Sequence, residues 1–175
     1  ISGGCAVAGE FMYDPDGVSG VTSSEAIANP YRSSMIISTG FLDLPLMDNI
    51  ITDTHFYQRG RMGRSMAFMA RLRQDGRTAS ITGISVDEDT SVFIDRNRVA
   101  TVDGDFSAYI LREDASTVRT RVQSGQSLIY EGVLRTRLTV GDTFNLNTGA
   151  SNRTAIRLDV DGRYPSDPYT PSNPY

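Results

Sequence analysis

Ile50-Ile51-Thr52-Asp53-Thr54-His55-Phe56-Tyr57-Gln58-Arg59-Gly60-Arg61-Met62-Gly63-Arg64 is the stretch on which the fold turns. Its first residues are apolar and β-branched and suit a short buried strand. From Tyr57 the period becomes helical and runs to Gln74, with Met62, Met66, Met69 and Arg73 on one stripe and Phe68 and Leu72 beside it. Asp75-Gly76 closes that helix. The join between strand and helix holds the only histidine of the chain and the first of three closely spaced arginines.

Downstream, from Ala79, the period changes to two. Residues 80–86, 91–94, 98–102 and 106–112 read as strands, with turns at Asp95–Asn97 and Asp103-Gly104. Residues 128–130, 133–140 and 154–160 are further strand candidates. The tail from Arg163 holds four of the seven prolines. Their spacing of three predicts one edge of a polyproline II segment, or a disordered terminus. Upstream, residues 3–12 read as a short helix with a small-residue face, and Asp14-Pro15-Asp16-Gly17 as a turn. A Ser/Gly/Asn-rich loop runs to Arg32, and residues 34–41 form a strand. Such a chain is helix-bearing in its first third and strand-rich afterwards, with too few helices to cover both faces of a sheet.

Composition removes several chemistries. All 17 basic residues are Arg, so Schiff-base, P-loop and Ser–Lys mechanisms are out. The single cysteine excludes an internal disulfide framework and a zinc site built from several thiolates. A net charge of −4 argues against nucleic-acid binding. The apolar runs are far too short for a membrane helix.

Three constellations carry the remaining chemistry. Ser2-Gly3-Gly4 supplies the second half of a G-x-S-x-G nucleophile elbow, in which small neighbours allow a Ser to sit on a tight turn entering a helix. A helix-capping Ser is the plainer account. His55 is the one imidazole available as a general base near neutral pH. Arg59, Arg61 and Arg64 beside it form either a solvated helix face or a fork for a carboxylate. Asp87-Glu88-Asp89 offers a carboxylate to orient the histidine. Cys5, inside the first helix, reads as a small packed residue.

Together, Ser2-Gly3-Gly4-Cys5-Ala6, Asp53-Thr54-His55-Phe56 with Arg59, Arg61 and Arg64, and Gly83-Ile84-Ser85-Val86-Asp87-Glu88-Asp89-Thr90 resemble the cyanophycinase and aspartyl-dipeptidase family of serine peptidases. The resemblance is best over residues 1–95. It implies a three-layer α/β/α sandwich similar to class I glutamine amidotransferases, here with a strand-rich C-terminal half. It makes Ser2 the nucleophile, His55 the general base, Glu88 the third triad member and Gly3 an oxyanion-hole donor. Asp53, Thr54, Arg59, Arg61 and Arg64 would form the substrate pocket, with the Arg fork holding the α-carboxylate of a β-linked aspartyl unit. No metal or cofactor is implied.

Three departures from the family pattern stand out. Ser2-Gly3-Gly4 replaces Ser-Ala-Gly, and Thr54 replaces a Gln, which puts cyanophycin itself in doubt as substrate. The family's N-terminal half also has no counterpart in this sequence. The expectation is therefore that residues 1–162 are the C-terminal part of one α/β domain, followed by a proline-rich tail at 163–175. The partner would be the N-terminal half of the same precursor as a separate chain, produced by proteolytic or autoproteolytic cleavage just before the nucleophile. The two-chain unit would form a homo-oligomer and act on aspartyl-containing peptides, with no nucleic-acid or membrane partner. The compartment stays open, a cytoplasmic one being slightly favoured. Two alternatives remain: a non-catalytic relative acting as a binding or structural subunit, and a different amide hydrolase using the same triad.

Overall fold

The computed structural model describes residues 2–17, 19–40 and 42–175, with Ser2 described in its backbone alone. The first elements are α1 (Ser2–Ala6), β1 (Phe11–Tyr13), α2 (Ser23–Ala28), β2 (Ile37–Thr39), β3 (Ile50–Asp53), α3 (Met62–Gln74) and β4 (Thr82–Val86). Then follow β5 (Thr90–Ile94), β6 (Val99–Gly104), β7 (Ala108–Arg112), β8 (Val118–Arg121), β9 (Ile129–Leu138), β10 (Thr143–Asn145), β11 (Ile156–Asp161) and β12 (Tyr169–Thr170).

The large sheet runs β12-β11-β9-β7-β4-β3-β1-β2, with β8 paired to β9. Its middle is parallel, β1 beside β3 and β3 beside β4, and its flanks are antiparallel. This is a mixed α/β fold with one large mixed sheet and few helices. Because side chains alternate along a strand, each central strand feeds two cores. Ile51, Tyr109 and Leu111 pack under α2 and α3, with Met66, Phe68 and Met69. Ile50, Ala108 and Ile110 point the other way, onto Ala100, Val102 and Phe144 of the small antiparallel sheet β10-β6-β5. Among the described residues, that second face is covered mainly by the small sheet, where the resemblance implies helices.

α3 buries ten of its thirteen residues, including Arg64 and Ser65, so it is a core helix and not a solvated surface one. Burying a side chain such as Met66, Met69 or Leu72 contributes roughly 1.5–3 kcal/mol each.

Several elements differ from the sequence expectations for identifiable reasons. The helix expected over 3–12 stops at Ala6, and Phe11 enters the sheet opposite Ile51. Gly9 makes this entry possible, since a Cβ there would lie 2.5 Å from the Ile50 carbonyl oxygen. The stretch read as loop before Arg32 contains α2, begun by a capping box between Thr22 and Glu25. Its Thr-x-x-Glu signature stands in the sequence. α3 starts at Met62 because His55 and Gly60, with φ of 46° and 57°, hold residues 55–61 in turns. The strands expected at 128–130 and 133–140 are one continuous strand, β9.

The proline-rich tail is docked on the fold and is not a loose end. β12 pairs with β11. The Tyr175 ring lies 5.7 Å from both Phe56 and Tyr109 and 5.2 Å from Tyr57. Aromatic burial, not the proline spacing, decides where these residues go.

Candidate active site

β3 and β4 run parallel, with Asp53 opposite Ser85, so the residues following each strand meet at one edge of the sheet. In open α/β sheets this carboxyl edge is where ligand sites form. There Nδ1 of His55 lies 2.5 Å from Oε1 of Glu88. The two loops are laced together by backbone donors: the Phe56 N–H donates to the Val86 carbonyl at 3.2 Å, and the Glu88 N–H to Gln58 Oε1 at 3.2 Å. His55 is held in the left-handed region (φ 46°), an uncommon backbone state for a residue with a side chain.

Of the three consecutive acids, only Glu88 meets the imidazole. Asp87 turns inward and receives the Tyr57 N–H at 2.8 Å and the Ser107 N–H at 3.2 Å. Burial pushes its carboxyl pKa up, against the pull of those two bonds. Asp89 adopts φ 47° in the turn into β5. The orienting carboxylate and its scaffold are thus adjacent residues with opposite surroundings.

Asp53 is buried and saturated. Oδ2 accepts from Arg64 Nε at 2.8 Å and from Ser65 Oγ at 3.0 Å, while Oδ1 accepts from Arg64 Nη2 at 2.5 Å and the Thr54 N–H at 2.8 Å. Arg64 is itself 7% exposed, so this is an internal charge pair. Arg61 donates to the Thr54 carbonyl at 2.7 Å and reaches Asp53 at 3.3 Å; burial draws its pKa down. Arg59 alone is exposed, with no ion pair among the described residues. The three arginines therefore separate into one internal tie, one loop brace and one free guanidinium.

A cleft of about 680 Å³ opens at this edge. Thr54, His55 and Glu88 line it together with Cys5 of α1, while Ile84, Val92 and Ile94 supply an apolar wall. Asp53, Arg59, Arg61 and Arg64 do not line it. The Cys5 thiol donates toward the Asp53 carbonyl at 3.9 Å, and burial, reinforced by Asp53, pushes its pKa up to about 11. A thiol so protonated is a packing group, not a nucleophile. Thr52 Oγ1 ties the Cys5 carbonyl at 2.5 Å and so docks α1 on β3. Gly3 is exposed in α1. The Ser2 side chain, the expected nucleophile, lies outside the described residues.

Sequence reasoning missed the groups that hold the start of α3. Arg61, at the N-cap, makes no side-chain cap. The Met62 N–H instead donates to the Tyr175 hydroxyl at 3.1 Å, and the Arg64 N–H to Ser23 Oγ at 3.2 Å. The terminal tyrosine thus supports the His55 loop through its ring and the following helix through its hydroxyl. Tyr175→Phe is expected to cost about 1 kcal/mol, one hydrogen bond, and Tyr175→Ala about 3 kcal/mol. Denaturant melts measure both, and the nuclear magnetic resonance signal of the sole imidazole should move only in the Ala variant.

The site is thus a histidine–carboxylate pair at the carboxyl edge of parallel strands in a mixed α/β protein. No family model matches the chain. It is similar to the curated cyanophycinases of Trichormus variabilis and Nostoc sp., 31% identical to each over 147 residues, which is 83% of this chain. The matched region is 44% of each relative, so the chain spans less than half of their length.

Proposed function

We propose that this chain carries the triad of a cyanophycinase-like serine peptidase that hydrolyses β-aspartyl or related aspartyl-peptide bonds. The observation that carries the reading is the 2.5 Å contact of His55 Nδ1 with Glu88 Oε1 at a cleft that α1 also lines. In this scheme Ser2 Oγ attacks the scissile carbonyl carbon as Nε2 of His55 takes its proton. Glu88 steadies the resulting imidazolium. The Gly3 N–H holds the oxyanion. Collapse expels the amine with the proton from His55, leaving an acyl-Ser2 ester that water then cleaves by the same base.

Thr54 lines the cleft, and Arg59, exposed on the loop after His55 and outside the cleft lining, is the arginine with donors to spare for the carboxylate of a substrate that extends beyond the cleft. Asp53, Arg61 and Arg64 then act by shaping the loop. The assembled protein would be a three-layer α/β/α sandwich, completed by the N-terminal half of the precursor as a second chain. That assembly would act as a homo-oligomer.

A serine-directed phosphonate tests the reading: stoichiometric labelling lost in Ser2→Ala is expected, and an unlabelled protein sinks it. Arg59→Ala should raise KM for a β-aspartyl peptide at least tenfold with little change in kcat, the sign of a lost binding contact. A second reading, a non-hydrolytic subunit on the same scaffold, is favoured by the commitment of Arg64 and Arg61 to Asp53. It predicts no labelling at all.

A further inference from the structure

We propose that the opposite end of the sheet binds a small carboxylate- or phosphate-bearing anion through Arg98 and Arg112. A cavity of about 420 Å³ lies there, lined by Asn49, Ser80 and Thr82 before and at the start of β3 and β4, and by Arg73, Arg98 and Arg112. Since β3 and β4 are parallel, this is the end away from His55, and the inference stands whether or not the chain is a peptidase.

The charges around the cavity are unevenly matched. Glu113 is satisfied by Arg73 and Arg119, each at 2.6 Å, and by the Tyr130 hydroxyl at 2.7 Å. Asp114 is held by Arg157 at 2.7 Å. Asp48, the remaining acid on the lining, is exposed to solvent. Neither Arg98 nor Arg112 has an ion pair among the described residues. Arg98 reaches only the Asp48 carbonyl, at 3.4 Å, and its Nε is buried without a partner. Arg112 makes no side-chain hydrogen bond among the described residues. It sits 5.8 Å from the Phe144 ring centroid and under Gly149, where a Cβ would fall 2.6 Å from Nη1.

Two half-buried guanidinium groups without counter-charge are costly, because desolvation penalises a cation that nothing compensates. Burial alone draws the Arg112 pKa down. The arrangement becomes favourable once a planar or tetrahedral oxyanion accepts from both forks. The lining as a whole is balanced, three arginines against Asp48, Glu113 and Asp114, and Arg98 and Arg112 are the two of its arginines that lack an ion pair among the described residues.

Thermal melts in low-salt buffer, with inorganic phosphate and succinate titrated separately, test the site. A ligand bound only by the folded state raises Tm saturably. The wild type should show this with at least one anion, and which one identifies the phosphate or carboxylate source. Arg98→Gln and Arg112→Met should each weaken the response at least tenfold, whereas Arg96→Gln, an exposed control, should leave it intact. Without added anion, Arg112→Met should melt at or above the wild-type temperature, since it removes an uncompensated charge. The proposal is overturned if neither anion raises Tm saturably, or if the rise survives both substitutions. It is equally overturned if Arg112→Met melts several degrees lower in anion-free buffer.

Discussion

On the proposed peptidase reading, replacing His55 by Ala is expected to lower hydrolysis of a β-aspartyl peptide by about 10⁴- to 10⁶-fold, because the members of such a triad act as a unit. No second imidazole or side-chain amine stands in reserve. There is no second histidine and no lysine, and the Cys5 thiol is protonated with a pKa of about 11. Glu88→Gln should cost roughly 10²- to 10⁴-fold, since it keeps the shape while weakening support for the imidazolium. Neither change should greatly alter Tm. The pair is partly exposed, with side chains 21% and 44% accessible, and exposed ion pairs contribute at most about 1 kcal/mol. His55→Asn is the backbone-preserving control, as Asn tolerates the left-handed conformation at this position. A rate loss with an unchanged melt would assign His55 to chemistry. An unchanged rate would remove the triad from the account.

The second large effect is on stability. Asp53→Ala is expected to destabilise the protein by about 3–5 kcal/mol, as it leaves the buried Arg64 guanidinium without its carboxylate. Arg61, Ser65 and the Thr54 N–H lose a partner at the same time. Pairing Asp53→Asn with Arg64→Met should recover much of the loss, because the uncompensated charge is then gone. Denaturant midpoints for the single and double variants measure the coupling. If Asp53 instead contacted substrate, the single variant would melt normally and raise KM.

The two predictions separate roles that sit side by side in the sequence. In Asp53-Thr54-His55 the first residue is a buried tie and the third lines the cleft, because β3 ends between them and the chain turns outward at φ 46°. In Asp87-Glu88 the order repeats at the end of β4, with the first acid inward on backbone donors and the second on the imidazole. Sequence spacing alone left any of the three acids as the histidine's partner. Likewise Arg59, Arg61 and Arg64 looked equivalent as a fork, yet their exposures differ because the helix begins only at Met62 and carries Arg64 into the core.

What the sequence by itself determined was the inventory and the local order. It gave a single imidazole, arginine as the only basic residue type besides it, a strand leading to a buried helix at residues 50–74, and period-two strands from Ala79 onward. These are readable because strand and helix periodicity and residue chemistry are local properties. The tertiary structure decided the rest. It paired β3 with β4 so that His55 meets Glu88 across 33 positions, and it set the small sheet on the second face. It also drew the proline-rich tail onto Phe56 and Met62, and it left Arg98 and Arg112 on a cavity with no ion pair of their own among the described residues. Such pairings depend on burial and register between distant segments, where hydrophobic area and charge compensation outweigh any local signal.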